Sequence, residues 1–180
     1  MRIYEGSPRQ DFEEVLRSIG AFLDQRGMRE VLFVEDPEGF VVQGLVTSTG
    51  SGGAWSEAMG QVTKETFRFQ DDDISRFMDE ALARRNSGAP VPDFASAGAY
   101  ERAFRVLGRY MDAQKPRDVF FFEQGGAFVV RLLLATQAGT HHELAEFTRE
   151  DIERMIAEAP ALRQVKDAPA STPAAPATGG

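Results

Sequence analysis

The stretch DVFFFEQGGAFVVRLLLA, residues 118–135, contains two apolar runs separated by Gly125 and Gly126. Adjacent glycines can adopt the positive φ angles of a tight turn, so the stretch predicts a β-hairpin. Neither run alternates apolar with polar residues, a pattern typical of strands that are covered on both faces. We therefore expect helices on one face of this sheet and a second packed layer on the other.

The same hairpin occurs in the first half of the chain. Residues 19–46 align with residues 107–134 without a gap, because Gly20 and Gly108 lie 88 positions apart. The match indicates an internal duplication. Before each hairpin, apolar residues recur at helical spacing, which predicts an amphipathic helix in each half.

A third strand and a closing helix are predicted to follow each hairpin. KETFRF at 64–69 and HELAEF at 142–147 are interpreted as strands, and the segments that follow them match at a spacing of 78. In the second copy, Thr148 and Asp151 have the spacing of a capping box at the start of a helix. Each repeat is therefore predicted to have the element order α-β-β-β-α.

The predicted fold class is α+β. Two tandem α-β-β-β-α repeats are expected to form a pseudo-twofold pseudo-dimer with an antiparallel sheet and helices packed on it. The second face of the sheet is expected to pack on the twin repeat or on a partner chain. The predicted divisions are a first repeat at 1–85 with an inserted Gly-rich loop at 48–66, a linker at 86–98, a second repeat at 99–164, and a disordered Pro/Ala-rich tail at 165–180.

The amino-acid composition disfavours or excludes several classes of function. The formal net charge is -8, which disfavours broad contact with nucleic acid because such contact needs a basic face. The chain has no cysteine, which excludes disulfides, cysteine nucleophiles and thiolate zinc sites. Charged residues interrupt every long apolar run, so we expect a cytoplasmic protein without membrane contact.

The predicted loop at 48–66 contains the first candidate ligand site. Ser51, Gly52 and Gly53 could present backbone N–H groups to an anion, although no Gly-Lys-Ser/Thr sequence of a phosphate loop follows. Trp55, the only tryptophan, could anchor a ligand or partner. The alternative is a structural or flexible inserted loop.

His141 and His142 are weak metal-ligand candidates beside Glu143. Imidazole and carboxylate groups can bind zinc. Adjacent residues of a strand point to opposite faces, however, so the two histidines could hardly share one ion. A solvated strand end is the favoured interpretation, and no metal or cofactor is expected.

Glu35 and Glu123 occupy matching positions before the two hairpin turns. If the repeats meet about a pseudo-twofold axis, the carboxylates could converge as a general acid and base. The alternative is that they keep the sheet end soluble. Arg29 and Arg117, before the first strand of each repeat, could hold an anion or form surface ion pairs.

Two protein families provide analogies at the level of topology. The element order resembles double-stranded RNA-binding domains, but those have a lysine-rich start to the closing helix where this chain has Asp71, Asp72 and Asp73. The order and the acidity are also similar to small secretion-chaperone-like domains. That resemblance implies dimerisation and the binding of partner segments along sheets and helices.

The favoured function is therefore a non-enzymatic, chaperone-like module that binds or regulates a protein or peptide partner. The expected partners include a protein or peptide and a further copy of the chain, but no nucleic acid or membrane. The alternative is a small-ligand binder or enzyme with a site between the repeats, under the 48–66 loop. Glu35, Glu123 and Trp55 would line that site.

Overall fold

The computed structural model describes residues 12–48, 61–87 and 98–159. Within these ranges the chain forms four helices and six strands, which confirms the predicted α+β class. In chain order they are α1 Phe12–Arg26, β1 Met28–Asp36, β2 Gly39–Ser48, β3 Gln61–Gln70, α2 Asp71–Asn86, α3 Ala99–Gln114, β4 Asp118–Gln124, β5 Ala127–Thr136, β6 Gly139–Phe147 and α4 Arg149–Glu158.

The six strands form one antiparallel sheet with the order β3-β2-β1-β4-β5-β6. Each half contributes a three-stranded meander, and the halves join where β1 pairs with β4. At this junction Phe33 lies opposite Phe121, and their rings stack at 4.6 Å with an interplanar angle of 10°. The sheet is therefore continuous across the middle of the chain.

Helices α1 and α3 pack against each other at very close range. The closest points are two helical glycines, which bring one backbone against the other. A Cβ atom added to Gly20 would lie 2.5 Å from the carbonyl oxygen of Tyr100, and one added to Gly108 would lie still closer to that of Phe12. Because backbone atoms cannot rotate away, only glycine fits at these two positions.

Each of these helices also caps the other. The Asp112 carboxylate accepts hydrogen bonds from the backbone N–H groups of Phe12 (2.8 Å) and Glu13 (3.1 Å) at the start of α1. Asp24 does the same for Tyr100 (3.1 Å) and Glu101 (2.8 Å) at the start of α3. A carboxylate here satisfies N–H groups that a helix cannot pair itself and suits the positive end of its dipole.

Two ion pairs complete the contact between α1 and α3. Arg17 meets Glu101 at 2.7 Å, and the buried Arg105 meets the buried Glu13 at 3.1 Å. Charges removed from water at this helix contact are thus paired, as their burial requires.

One face of the sheet, the inner face, is covered by helices. Its central strands supply a buried aromatic and aliphatic core. Ring contacts or core packing place every described helix on this face: α1 through Phe12 on Phe40, α3 through Phe104 on Phe121, α2 through Phe77 on Phe69, and α4 through Ile152.

The opposite face, which we call the open face, has no helix over it among the described residues. The expectation that the twin repeat would cover this face is wrong, because the two halves meet edge to edge through β1 and β4. Eight half-buried apolar side chains from the four central strands form its centre: Leu32, Val34, Val41, Leu45, Phe120, Phe122, Val129 and Leu133.

Several helices and strands extend beyond the boundaries that were predicted from the sequence. β2 and β3 remain paired as far as Ser48 and Gln61, so residues 61–66 of the expected loop belong to a strand. Helix α2 continues through Asn86, into the expected linker at 86–98. Most of that linker and the expected tail at 165–180 lie outside the described residues. The predicted capping box is confirmed, since Thr148 and Asp151 bond reciprocally at the start of α4.

Candidate functional site

The open face is the first candidate site. Cross-strand neighbours share a face of a sheet, and the pairing places Leu32 opposite Phe122 and Val34 opposite Phe120 across the central junction. Apolar side chains therefore continue without interruption from one half to the other. A contiguous apolar surface of this kind typically marks an interaction site.

The rim of the open face is polar and mixed in charge. The outer strand β3 carries Lys64 and Arg68 there, while β6 carries His142 and Glu146. Two strongly exposed apolar side chains interrupt this rim, Val62 at 53% and Leu144 at 72% exposure. An apolar centre inside a polar rim is the usual anatomy of a protein interface.

Arg131 is a charged residue in the central part of the open face, and its guanidinium lies over an aromatic ring. Its guanidinium carbon is 5.1 Å from the centre of the Phe120 ring. Such a cation–π contact keeps the charged group flat against the sheet, and arginine is enriched in protein interfaces. The guanidinium therefore lies against the apolar surface, over the Phe120 ring.

Glu35 and Glu123 do not converge. β1 and β4 run antiparallel through the Phe33 and Phe121 pair, so each glutamate lies two residues beyond that pair, in opposite directions. At 3.3 Å per residue the separation along the strands is about 13 Å. The acid–base pair is not formed. Glu35 is also buried, which contradicts its interpretation as a solubilising residue at the sheet end.

Glu123 instead belongs to a small hydrogen-bonded network with Tyr100. The Tyr100 hydroxyl donates to Glu123 Oε2 (2.9 Å), and the Gly126 N–H donates to Oε1 (2.6 Å). Gly126 has a φ angle of 85° in the β4–β5 turn, which favours glycine. Burial, with the negative charge of Glu123 as a second cause, strongly raises the pKa of Tyr100.

A β-bulge adjoins this network. Between Arg29 and Leu32 the register of β1 against β2 shifts by one residue, and within the bulge Glu30 adopts a φ angle of 53°. Its backbone lies beside the Tyr100 hydroxyl and, as the smallest of the causes, opposes the rise in the pKa of Tyr100. A left-handed conformation is unfavourable for a glutamate, and strained residues and bulges often occur beside functional sites.

Two adjoining cavities of about 370 and 410 Å³ open beside Tyr100 and Glu123. Both halves of the chain contribute to the walls, Arg29 from the first and Arg149 from the second. The cavities therefore lie between the halves, and Glu123 lines them while Glu35 does not. Ser51, Gly52, Gly53 and Trp55 lie outside the described residues.

The two histidines are separated by the sheet. His141 lies opposite Leu134, whose side chain is on the inner face, whereas His142 lies opposite Leu133 on the open face. Both are exposed. Across residues 12–48, 61–87 and 98–159, no group of three His, Asp or Glu side chains is placed to hold a metal ion.

A second tyrosine–glutamate bond provides a prediction about pH. Burial, together with the hydrogen bond from its hydroxyl to Glu143 (2.8 Å), raises the pKa of Tyr110 to about 12. The folded state thus favours the neutral hydroxyl. This stabilisation is fully present below about pH 10, the pKa of an unfolded tyrosine, and is lost as the pH rises through 12.

We therefore expect the Tyr110→Phe variant to lose less of its stability than the parent protein between pH 9 and pH 11. Urea unfolding of both proteins at the two pH values measures the difference. Equal losses would show that Tyr110 ionises as readily in the folded as in the unfolded chain.

Comparison of the chain with protein-family models, curated proteins and solved structures finds no match in any of the three. None of the described helices is long and apolar enough to cross a membrane. The open face and the cavities are therefore the features of the molecule that bear on its function.

Proposed function

We propose that this chain is a non-enzymatic, chaperone-like module that binds a protein or peptide partner on the open face, in the reducing cytoplasm that a cysteine-free chain tolerates. The main support is the apolar surface that spans β2, β1, β4 and β5 without a covering helix among the described residues. Most antiparallel sheets with one solvated face carry polar residues there, so this surface is suited to a partner.

The proposed architecture is a fused pseudo-dimer that arose by internal duplication. Positions 88 apart make reciprocal contacts: Gly20 approaches the start of α3 as Gly108 approaches the start of α1. Asp24 of α1 caps the start of α3, and Asp112 of α3 caps the start of α1. In the sheet, Phe33 of β1 pairs with Phe121 of β4. Isologous contacts of this kind are those expected for two copies related by a twofold axis.

In this proposal, the fusion of the two halves accounts for the width of the open face. Joining two three-stranded meanders at β1 and β4 removes one exposed strand edge from each and doubles the width of the open face. A partner segment that contacts the junction would touch Phe120 and Phe122 from one half and Leu32 and Val34 from the other. The two halves thus make one binding surface.

Site-specific photo-crosslinking tests this proposal. Because the chain has no cysteine, the Phe120→Cys variant can carry a single benzophenone on the open face, where this aromatic group takes the place of the Phe120 ring. The Arg76→Cys variant, on exposed α2 of the helix side, is the matched control. Both are irradiated in lysate of the source organism, and adducts are identified by mass spectrometry.

We expect a defined protein adduct from position 120 that is absent from position 76. Excess unlabelled parent protein should compete for the adduct, whereas excess Phe122→Ser variant should not. An adduct at about twice the mass of the chain would identify the partner as a second copy. The same adducts from both positions, or none from position 120, would contradict binding on the open face.

A further inference from the structure

The cavity of about 370 Å³ beside Tyr100 is chemically distinct from the open face. It lies on the helix side, where α3, α4 and the β4–β5 turn of the second half meet the end of α1 and the start of β1. Part of its wall is apolar, formed by Ala103, Phe128 and Ile156, and part is basic, formed by arginines. A mostly apolar cavity with a few convergent polar groups is the usual form of a small-molecule site, and this volume lies within the range of such sites.

The acidic groups at the cavity are already occupied by hydrogen bonds or ion pairs within the protein. Asp24 accepts bonds from the backbone at the start of α3, Glu123 accepts bonds from Tyr100 and Gly126, and Glu153 pairs with Arg149 at 3.5 Å. The oxygens of these three carboxylates are thus engaged by donors within the protein.

Arg102, in contrast to these carboxylates, has a buried polar atom without a partner in the described part of the chain. Its Nε atom is buried and has no hydrogen-bond partner among the described residues, although buried polar atoms are almost always paired. Its side chain lines the cavity. The guanidinium presents N–H donors in a planar fork that matches a carboxylate. The unpaired polar atom at this cavity therefore belongs to a cationic side chain.

We propose that the cavity binds a small organic monoanion, a carboxylate with an apolar body, and that Arg102 holds the carboxylate. The apolar body lies against Phe128 and Ile156, away from water. This activity is separate from the partner binding proposed for the open face, because the two sites share none of these residues.

Isothermal titration calorimetry with octanoate tests the proposal. Octylamine and octanol supply the same chain with a positive or no charge. Two variants address the two parts of the site: Arg102→Gln removes the charge, and Ile156→Trp fills the cavity from a half-buried position. The control is Arg131→Gln, which makes the same chemical change on the open face. Thermal unfolding establishes that each variant is folded.

We expect octanoate to bind the parent protein and the Arg131→Gln variant equally. Arg102→Gln should raise the Kd about ten- to a hundredfold, the usual effect of losing a hydrogen bond to a charged group. Ile156→Trp should weaken binding at least tenfold. Octylamine should not bind, and octanol should bind more weakly than octanoate. No binding of octanoate at 10 mM, binding that both variants leave unchanged, or equal binding of octylamine would overturn the proposal.

Discussion

Replacing Gly108 with alanine is expected to lower the free energy of unfolding by about 3 kcal/mol, the upper part of the usual range for overpacking. The added methyl group would meet the carbonyl of Phe12, a backbone atom held in the first turn of α1 by the Asp112 cap. Alanine favours a helix over glycine by about 1 kcal/mol. A net loss would therefore show that the steric conflict exceeds the gain in propensity.

Urea unfolding followed by circular dichroism measures this effect. Gly20→Ala should behave like Gly108→Ala, because Gly20 makes the reciprocal contact with Tyr100. Gln25→Ala, at an exposed position of α1, is the control for helix propensity and should change stability by only a few tenths of a kcal/mol. If either glycine variant were more stable than the parent, the close packing of α1 on α3 would be incorrect.

The second large effect separates the two faces of the sheet. Phe121→Ala removes a fully buried ring that stacks on Phe33 and meets Phe104. A loss of about 3–5 kcal/mol is expected, as for other buried aromatic residues in a core. Phe120, the adjacent residue, points to the open face and is half-buried. Phe120→Ala should cost only about 1 kcal/mol of transfer free energy.

The two variants should have the reverse order in partner binding. Phe120→Ala should weaken capture of the crosslinked partner while the protein stays folded, since aromatic residues at the centre of an interface often dominate its affinity. Stability is read from urea unfolding, and binding from competition for the position 120 adduct. Equal losses of stability for Phe120→Ala and Phe121→Ala would mean that both faces are buried in the isolated chain.

Local periodicity was sufficient to predict most elements of the fold. The helical spacing from Phe12 to Leu23 predicted α1, and the spacing of Thr148 and Asp151 predicted the start of α4. The joining of β1 to β4 was not predicted, because pairing between strands so distant in the sequence leaves no local pattern. Strands that carry apolar residues on both faces indicate that both faces of the sheet are covered. Here the helices cover one face, and we propose that a partner covers the other.

The candidate sites were predicted less well. Glu123 lines the cavities, but its predicted partner was Glu35, and antiparallel pairing places those two positions apart. Tyr100 was not predicted as a site residue. One signal could have identified it: Tyr100 is the counterpart of Phe12 in the other half, and a hydroxyl added at a buried position needs a partner. The bulge at Glu30 has no comparable sequence signal.

The most direct test of the central claim is the rate of thiol labelling at two adjacent positions of β5. Val129 lies on the open face and Val130 on the buried inner face. Val129→Cys and Val130→Cys are nearly isosteric changes in a chain without other cysteines. In native buffer, the thiol of Val129→Cys should react with a disulfide reagent orders of magnitude faster than that of Val130→Cys, which must wait for unfolding. Equal protection of both would show that the second face is covered in the isolated protein and would contradict an open binding surface.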